Sequence, residues 1–202
     1  VKRMHIAFVE MVDAEMKVLL DLGADWHPNL LRYQGKDQDD NFVYLASDLC
    51  ATTLHTMVEK PSFNPFLPDY SVSDESMQML REVATGIEFL HSLGVVHCDI
   101  KPRNILLTAD NQVKVSDMGL SKKLEEEETS FTFSTNAPSG DGGWAPSEVL
   151  LCKRKTMKVD IFAMGVLIYF VLSKGSHPFG NIFKRNGNIV DGVFELDKVK
   201  HL

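Results

Sequence analysis

The chain has 202 residues, of which 44% are hydrophobic and 24% charged, a composition typical of an ordinary globular protein of one or two domains. Its formal net charge of −7 argues against a general nucleic-acid-binding surface. No apolar run has the length of a transmembrane helix, and the first ten residues contain no apolar run long enough for a signal peptide. Cys50, Cys98 and Cys152 are widely spaced, which favours a reducing compartment over a disulfide framework.

The first part of the chain predicts a strand, a helix, a second strand and a second helix. Residues 1–8 are compatible with a strand, and residues 10–22 carry apolar side chains at helical spacing. Residues 41–49 predict a strand that leads into a connecting segment. Three prolines between residues 60 and 70 predict a surface loop, because proline blocks regular structure. Ser73 is then the expected N-cap of a long helix.

A β-hairpin is predicted in the middle of the chain. Residues 105–107 and 113–115 are short apolar segments, and residues 109–111 between them supply turn chemistry. Folding such a hairpin brings Asn104 and Asp117 to the same end.

Asp99 and Lys101 lie shortly before this hairpin, so two carboxylates, one amide and one ammonium are expected close together. Oxygen ligands of this kind suit Mg²⁺ held jointly with phosphates. Ordinary turn aspartates are the alternative interpretation for a DxKxxN pattern on its own.

The last part of the chain contains a polar segment and an apolar helix. Residues 120–143 are long, polar and rich in hydroxyl groups, and they include the acidic run 125–128. A segment of this kind inside a compact domain is typically functional or mobile. Residues 158–173 are apolar nearly all round, as expected for a helix buried in the centre of a domain.

HCDIKPRN at residues 97–104, followed by DMG, resembles the catalytic and metal-binding loops of protein kinases. The resemblance implies an α+β, two-lobed protein-kinase-like fold that uses ATP and Mg²⁺. It implies that Asp99 orients the substrate hydroxyl and accepts its proton, and that Lys101 stabilises the transferring phosphoryl group. Lys101, Asn104 and Asp117 would bind ATP, and Asn104 and Asp117 would hold the metal ions. Lysine at position 101 favours serine/threonine over tyrosine substrates.

The same resemblance assigns the remaining nucleotide contacts. Lys2 and Glu15 match the kinase ion pair, in which a strand lysine holds the α- and β-phosphates and a helix glutamate positions it. Ser47 matches the gatekeeper position. The main-chain groups of Asp48 and Cys50 would bind the adenine edge.

Residues 120–143 match the kinase activation segment, in which Ser130, Thr132 and Thr135 are candidate phosphorylation sites. Asp160 matches the aspartate that braces the catalytic loop from the apolar helix.

Several further segments resemble the kinase half of the inositol-requiring kinase/endoribonuclease family of the unfolded protein response, to which ribonuclease L is related. They are HPNLLRY, DLCATTL, HCDIKPRNILL, VSDMGLSKKL, DGGW, VDIFAMGV and SKGSHPFGN. The resemblance covers nearly all of residues 1–202, a partial kinase domain. Residues 1–49 would be a remnant of an incomplete small β lobe. Residues 50–202 would be a mainly helical large lobe that lacks its last helices.

The family resemblance also implies partners and a location. These are ATP or ADP, a second copy of the chain through the kinase domain, RNA through a nuclease domain outside this sequence, and a membrane through a segment outside it. The kinase part would lie on the cytosolic face of the endoplasmic reticulum membrane, soluble and cytoplasmic.

Four departures from the kinase pattern keep a second function open. No glycine-rich strand pair precedes Lys2, Cys98 replaces an arginine, Met118 replaces a phenylalanine, and Thr56 replaces a ribose-binding glutamate. The alternative is a nucleotide-sensing pseudokinase module that regulates an attached endoribonuclease. A small-molecule kinase is disfavoured by the hydroxyl-rich activation segment. Residues 1–202 alone are expected to be poorly stable and inactive, because the lid over the phosphates is missing.

Overall fold

Helices and small antiparallel sheets alternate along the chain. The computed structural model describes residues 1–10, 12–13, 16, 26–69, 71–124, 129–132 and 142–199. A three-stranded sheet is formed by the N-terminal part, and the C-terminal part is mainly helical. This arrangement confirms the predicted α+β, two-lobed kinase-like class. No helix within the described ranges combines the length and apolar character needed to cross a membrane.

The N-terminal sheet has the strand order β1–β3–β2, and both pairings are antiparallel. Its strands are β1 (Lys2–His5), β2 (Tyr33–Gln38) and β3 (Phe42–Ser47). Val43 and Leu45 of β3 are fully buried and pack against Val12. The alternation of buried and partly buried residues in the first part of β3 explains why this strand was predictable.

The predicted strand over residues 1–8 is correct only as far as His5. Residues Ile6–Phe8 form one turn of 3₁₀ helix, because the His5 Nδ1 accepts a hydrogen bond from the Ala7 amide at 3.2 Å. Helical residues follow at positions 9, 10, 12, 13 and 16. The remainder of the predicted helix, including Glu15, lies outside the described residues.

Within the described residues of the C-terminal part, two long and three short α-helices are present. The helices are α1 (Leu54–Val58), α2 (Asp74–Ser92), α3 (Ser147–Leu150), α4 (Lys158–Leu172) and α5 (Arg185–Asp191). Ser73 caps α2 as predicted, since its side chain accepts a hydrogen bond from the Ser76 amide. Apolar side chains of α2 and α4 share one large core cluster with the hairpin.

The predicted hairpin is present as β6 (Ile105–Leu107) and β7 (Val113–Val115), with Ile105 opposite Val115. Strand β4 (Thr52–Thr53) extends this sheet beside β6. A second small sheet pairs β5 (Val95–Val96) with β8 (Lys122–Lys123). The loop between β5 and β6 is therefore held at both ends by strands.

Candidate active site

The end of the hairpin brings together the side chains predicted from the DxKxxN and DMG motifs. Asn104 comes directly before β6, and Asp117 follows β7 after a single residue, Ser116. The Ser116 amide and hydroxyl both donate to the Asn104 carbonyl, at 2.9 and 2.8 Å. The two strands thus fix Asn104 and Asp117 on one side of the molecule.

Asp99 is held by two of its predicted neighbours. The Asn104 Nδ2 donates to the Asp99 carbonyl and to its Oδ2, both at 2.8 Å. The Lys101 Nζ lies 2.9 Å from the same Oδ2. Asn104 is buried, and both side chains of the ion pair are largely shielded from solvent. A carboxylate held at Oδ2 in this way has a defined orientation.

Asp160 fixes the main chain just before Asp99. Its Oδ2 accepts a hydrogen bond from the His97 amide and its Oδ1 accepts one from the Cys98 amide, each at 2.8 Å. The His91 Nε2 lies 2.8 Å from Oδ2. Cys98 adopts a left-handed backbone conformation, with φ of 66°, which is uncommon for a residue with a side chain. The buried carboxylate of Asp160 thereby stabilises a strained turn in the catalytic loop, the role that the resemblance implied.

His97 is a residue of the site for which the sequence motifs predicted no role. Its Nδ1 accepts a hydrogen bond from the Asp99 amide at 3.2 Å, so its Nε2 carries the proton and donates to the Ser116 carbonyl at 3.0 Å. The imidazole is fully buried. It therefore joins the catalytic loop to the end of the hairpin that carries Asp117.

Lys2 meets the site from the N-terminal sheet. Its Nζ lies 3.0 Å from the Asp117 Oδ1, and both side chains are more than a third exposed. Glu15, its predicted partner, lies outside the described residues. Asp117 has a left-handed backbone conformation, with φ of 67°. The pair brings together the ammonium predicted for the phosphates and the carboxylate predicted for the metal ion.

A cleft of about 410 Å³ separates the two parts of the molecule and contains most of the predicted residues. Its lining includes Lys2, Ser47, Asp48, Cys50, Asn104 and Asp117. The Asp48 amide donates to the Arg32 carbonyl at 2.9 Å, and its carboxylate accepts from the Gln34 Nε2 at 2.6 Å. Burial raises the pKa of the Cys50 thiol above its ordinary value.

The oxygen atoms on this cleft fit a magnesium ion. Because the Asn104 Nδ2 is committed to Asp99, its amide oxygen is the atom available as a ligand. Asp117 supplies a carboxylate on the same cleft. Magnesium typically takes one or two protein oxygen ligands and completes its shell with water and phosphate oxygens. Among the described residues, no group of three or more His, Cys, Asp or Glu side chains forms a metal site made of protein ligands alone.

The candidate phosphorylation sites fall into two groups. Ser130 and Thr132 are described, with Ser130 half-buried and Thr132 exposed, whereas Thr135 lies outside the described residues. The Arg154 Nε donates to the Ser130 Oγ at 2.8 Å, a contact that sequence patterns did not indicate. Phe131 between the two hydroxyl residues is buried.

A two-lobed fold with this loop and cleft defines the protein kinase class, and comparison with known families agrees. The protein kinase domain family matches residues 2–200 of the chain. The chain therefore belongs to the protein kinase family.

Individual relatives lie in the branch that the sequence motifs indicated. The chain is similar to the "Probable serine/threonine-protein kinase ireA" of Dictyostelium discoideum, with 37% identity over 100% of the chain and 22% of the relative. It is 34% identical to the "Serine/threonine-protein kinase/endoribonuclease IRE1" of Oryza sativa subsp. japonica, over 100% of the chain and 24% of the relative. The corresponding values for the kinase/endoribonuclease ireA of Aspergillus fumigatus are 32%, 100% and 20%. The chain thus spans between a fifth and a quarter of the length of these relatives.

Proposed function

We propose that the chain is the kinase part of an ATP- and Mg²⁺-dependent serine/threonine protein kinase that phosphorylates its own activation segment. The observation that carries this proposal is the orientation of Asp99 by Lys101 and by Asn104, which lines the cleft together with Asp117. The family match and the kinase names of the relatives support it.

Asp99 is the group that accepts the proton of the substrate hydroxyl. Its Oδ2 is engaged by Lys101 and Asn104, so Oδ1 is the oxygen that receives the hydroxyl hydrogen. The Lys101 ammonium, 2.9 Å from the carboxylate, lies where it also offsets the negative charge of the transferring phosphoryl group. Positioning and charge stabilisation of this kind supply most of the catalysis in phosphoryl transfer.

Nucleotide binding is assigned to the opposite wall of the cleft. The Asp48 amide already donates to Arg32, so a bound adenine would use the Asp48 carbonyl and the main chain of Cys50. Lys2 would exchange its contact with Asp117 for the α- and β-phosphates, while Asn104 and Asp117 would hold Mg²⁺. The ion supplies charge neutralisation of the phosphates when bound.

A second candidate function is a nucleotide-sensing pseudokinase module that regulates an attached endoribonuclease. Cys98 in place of the arginine of the kinase pattern favours it, because the guanidinium that could pair with an activation-segment phosphate is missing. Met118, however, is buried in the main core, so this substitution preserves apolar packing after Asp117.

The whole protein is proposed to act in unfolded-protein-response signalling at the cytosolic face of the endoplasmic reticulum membrane. Its kinase part would form homodimers or larger oligomers. RNA would be bound only through a nuclease domain outside this sequence, in keeping with the printed names of two relatives. The division into residues 1–49 and 50–202 as small and large lobes is part of this proposal.

The test uses the protein that carries the complete kinase domain, with autophosphorylation and nucleotide affinity measured side by side. Asp99→Asn should lower phosphoryl transfer by roughly 10²-fold or more and leave nucleotide affinity within a few-fold. Asp117→Ala should abolish Mg²⁺-dependent nucleotide binding. Asp110→Asn, in the exposed turn of the hairpin, is the matched control and should change neither. Transfer at the parent rate in Asp99→Asn would refute the kinase assignment, and nucleotide binding without any transfer in the parent would establish the pseudokinase.

A further inference from the structure

A second pocket, of about 640 Å³, lies beside the catalytic loop in the C-terminal part. Lys101, Pro102 and Arg103 of that loop line it, and Arg103 also lines the nucleotide cleft. The Lys101 Nζ is 2.9 Å from the Asp99 Oδ2. A group bound in this pocket would therefore lie close to the carboxylate proposed to receive the hydroxyl proton. The pocket is thus placed to hold a neighbouring part of the same substrate.

The charge of this pocket is opposite to that of the chain as a whole. Among the described residues that line it, Lys101, Arg103 and Arg185 are cations and Glu59 is the only carboxylate, whereas the chain has a formal net charge of −7. The Glu59 side chain is 61% exposed, and its Oε2 lies 3.2 Å from the His55 Nδ1. A pocket with this excess of positive charge attracts anions.

Two of the cations have no anionic partner of their own. Neither Arg103 nor Arg185 forms an ion pair with a carboxylate in the part of the chain that the structure describes. Arg103 is exposed, so its guanidinium can turn toward a ligand. The Arg185 Nε donates to the Gly180 carbonyl at 2.9 Å, and its Nη1 donates to the Gly142 carbonyl at 3.3 Å. This guanidinium is held in place while its Nη2 group stays available to a carboxylate.

A histidine beside Arg185 adds a further N–H donor. The His177 Nδ1 accepts a hydrogen bond from the Phe179 amide at 3.2 Å, so its Nε2 carries the proton. This buried N–H has no hydrogen-bond partner among the described residues. A Cβ atom at Gly143, where φ is 107°, would lie 2.8 Å from the His177 Nε2 and 2.6 Å from the Arg185 Cδ. A side chain at position 143 would therefore displace both groups, and glycine leaves this end of the pocket suited to oxygen acceptors.

We propose that this pocket recognises glutamate or aspartate side chains that precede the phosphorylated hydroxyl in a protein substrate. Arg103 and Arg185 are its specificity-determining residues. Apolar side chains form much of the remaining wall, namely Trp144, Phe170 and Ile182. They lower the local dielectric constant, which strengthens the ionic contacts.

The chain itself contains a sequence of the composition that the pocket fits. Residues 125–128 are four consecutive glutamates, and they lie just ahead of Ser130. That a bound acidic segment is a substrate rests on the proposed function, whereas its binding to the pocket does not. The two can therefore be measured separately.

The test uses the protein that carries the complete kinase domain and a fluorescein-labelled peptide with four glutamates ahead of one acceptor position. With alanine at that position, binding is followed by fluorescence anisotropy and requires no phosphoryl transfer. This peptide should bind about tenfold more tightly than one with four glutamines, and 0.5 M salt should remove most of the difference. With serine at that position, the glutamate peptide should have the lower KM at a similar kcat, because its extra contacts are made before and during transfer alike.

Variants connect this preference to the two arginines. Arg103→Gln and Arg185→Gln should each weaken binding of the glutamate peptide by about three- to tenfold and leave the glutamine peptide unchanged. Arg185→Lys should retain part of the preference, because lysine keeps the charge without the planar fork. Arg81→Gln, at an exposed position of α2, removes the same charge elsewhere and should retain the preference in full.

The outcomes separate the pocket from the kinase assignment. Circular dichroism shows whether Arg185→Gln is folded, and the exposed Arg103 supplies an independent variant if it is not. Equal affinity of the parent for the two peptides would overturn the inference, and so would an unchanged preference in folded Arg103→Gln and Arg185→Gln, even with full kinase activity. An arginine-dependent preference in a protein that transfers no phosphate would uphold the acidic-peptide pocket and refute the proposed kinase function.

Discussion

Asp160 and His177 are both buried polar side chains of the helical part, but their surroundings differ. Asp160 is fully buried, and its two oxygens accept hydrogen bonds from the His97 and Cys98 amides and contact His91. His177 is 8% exposed; its Nδ1 accepts from the Phe179 amide, and no described residue completes a hydrogen bond to its Nε2. Both carboxylate oxygens of Asp160 therefore have hydrogen-bond partners, whereas the His177 Nε2 has none among the described residues.

The difference shows that hydrogen-bond partners decide whether a buried side chain can hold a charge. The hydrogen bonds around Asp160 stabilise its carboxylate, so burial makes this carboxylate a brace for the catalytic loop. Burial and, to a smaller extent, the nearby Arg185 lower the pKa of His177 to about 4, and the main chain of Gly143 opposes this only in part. His177 is consequently kept neutral near physiological pH, and its protonation destabilises the fold.

Removing the Asp160 carboxylate should have the largest effect on the free energy of unfolding. Asp160→Asn supplies one acceptor oxygen where the loop needs two, and it points an amide N–H toward a main-chain N–H. We expect the free energy of unfolding to fall by about 3 kcal/mol, within the range for a disrupted buried network. Urea unfolding followed by circular dichroism measures this loss. Asp110→Asn in the exposed hairpin turn should change stability by less than about 0.5 kcal/mol. An equal, small change in both variants would show that the brace is unimportant.

The lowered pKa of His177 should be visible in the pH dependence of the free energy of unfolding. Between about pH 6.5 and 4 the unfolded chain binds a proton that the folded His177 resists, so the free energy of unfolding decreases as pH falls, by up to about 1.4 kcal/mol per unit. His177→Asn keeps an acceptor for the Phe179 amide and removes the titration. Its stability should therefore depend less on pH in this window.

His5→Asn is the matched control for this titration, since the exposed His5 also accepts an amide hydrogen bond two residues along, from Ala7. It should retain the pH dependence of the parent. Loss of the same pH dependence in both variants, or in neither, would contradict the role given to His177.

Breaking the ion pair between Lys2 and Asp117 should have the smallest effect on the free energy of unfolding. Lys2 and Asp117 lie 3.0 Å apart, but both side chains are more than a third exposed, so water and salt screen their attraction. Lys2→Met should change the free energy of unfolding by no more than about 0.5 kcal/mol, and 0.5 M salt should remove even that difference. Urea unfolding at two salt concentrations measures this. If Lys2→Met lowered the free energy of unfolding as much as Asp160→Asn does, exposure to solvent would not be what makes this ion pair weak.

Local patterns explain which elements were predictable. Strand β3, helix α2 with its Ser73 cap, helix α4 and the hairpin each follow from a repeated apolar spacing or a turn signal within a few residues. Helix α1 was missed because five residues are too short to show helical spacing. The polar loop sequence also gave no sign that residues 122–123 pair with β5.

Contacts across long stretches of chain could not be read from spacing alone. Asp160 reaches the His97 amide across 63 residues, and Lys2 reaches Asp117 across 115. The former was expected only from the kinase resemblance, and the latter was not expected at all. The contact between Arg154 and Ser130 depends on the main-chain bridge at Phe131, which no pattern in residues 129–132 indicates. Such contacts are set by the packing of the whole domain.

The backbone turn at Cys98 has a consequence for covalent chemistry. Its amide is tied to Asp160, and its thiol contacts the Val96 carbonyl beside an apolar cluster. Burial, with a smaller effect of the Asp160 carboxylate, raises the pKa of this thiol far above its usual range, so almost no thiolate is present at neutral pH. Cys152, by contrast, is exposed. A thiol-directed label such as a maleimide will therefore attach at Cys152 and leave the catalytic loop unmodified.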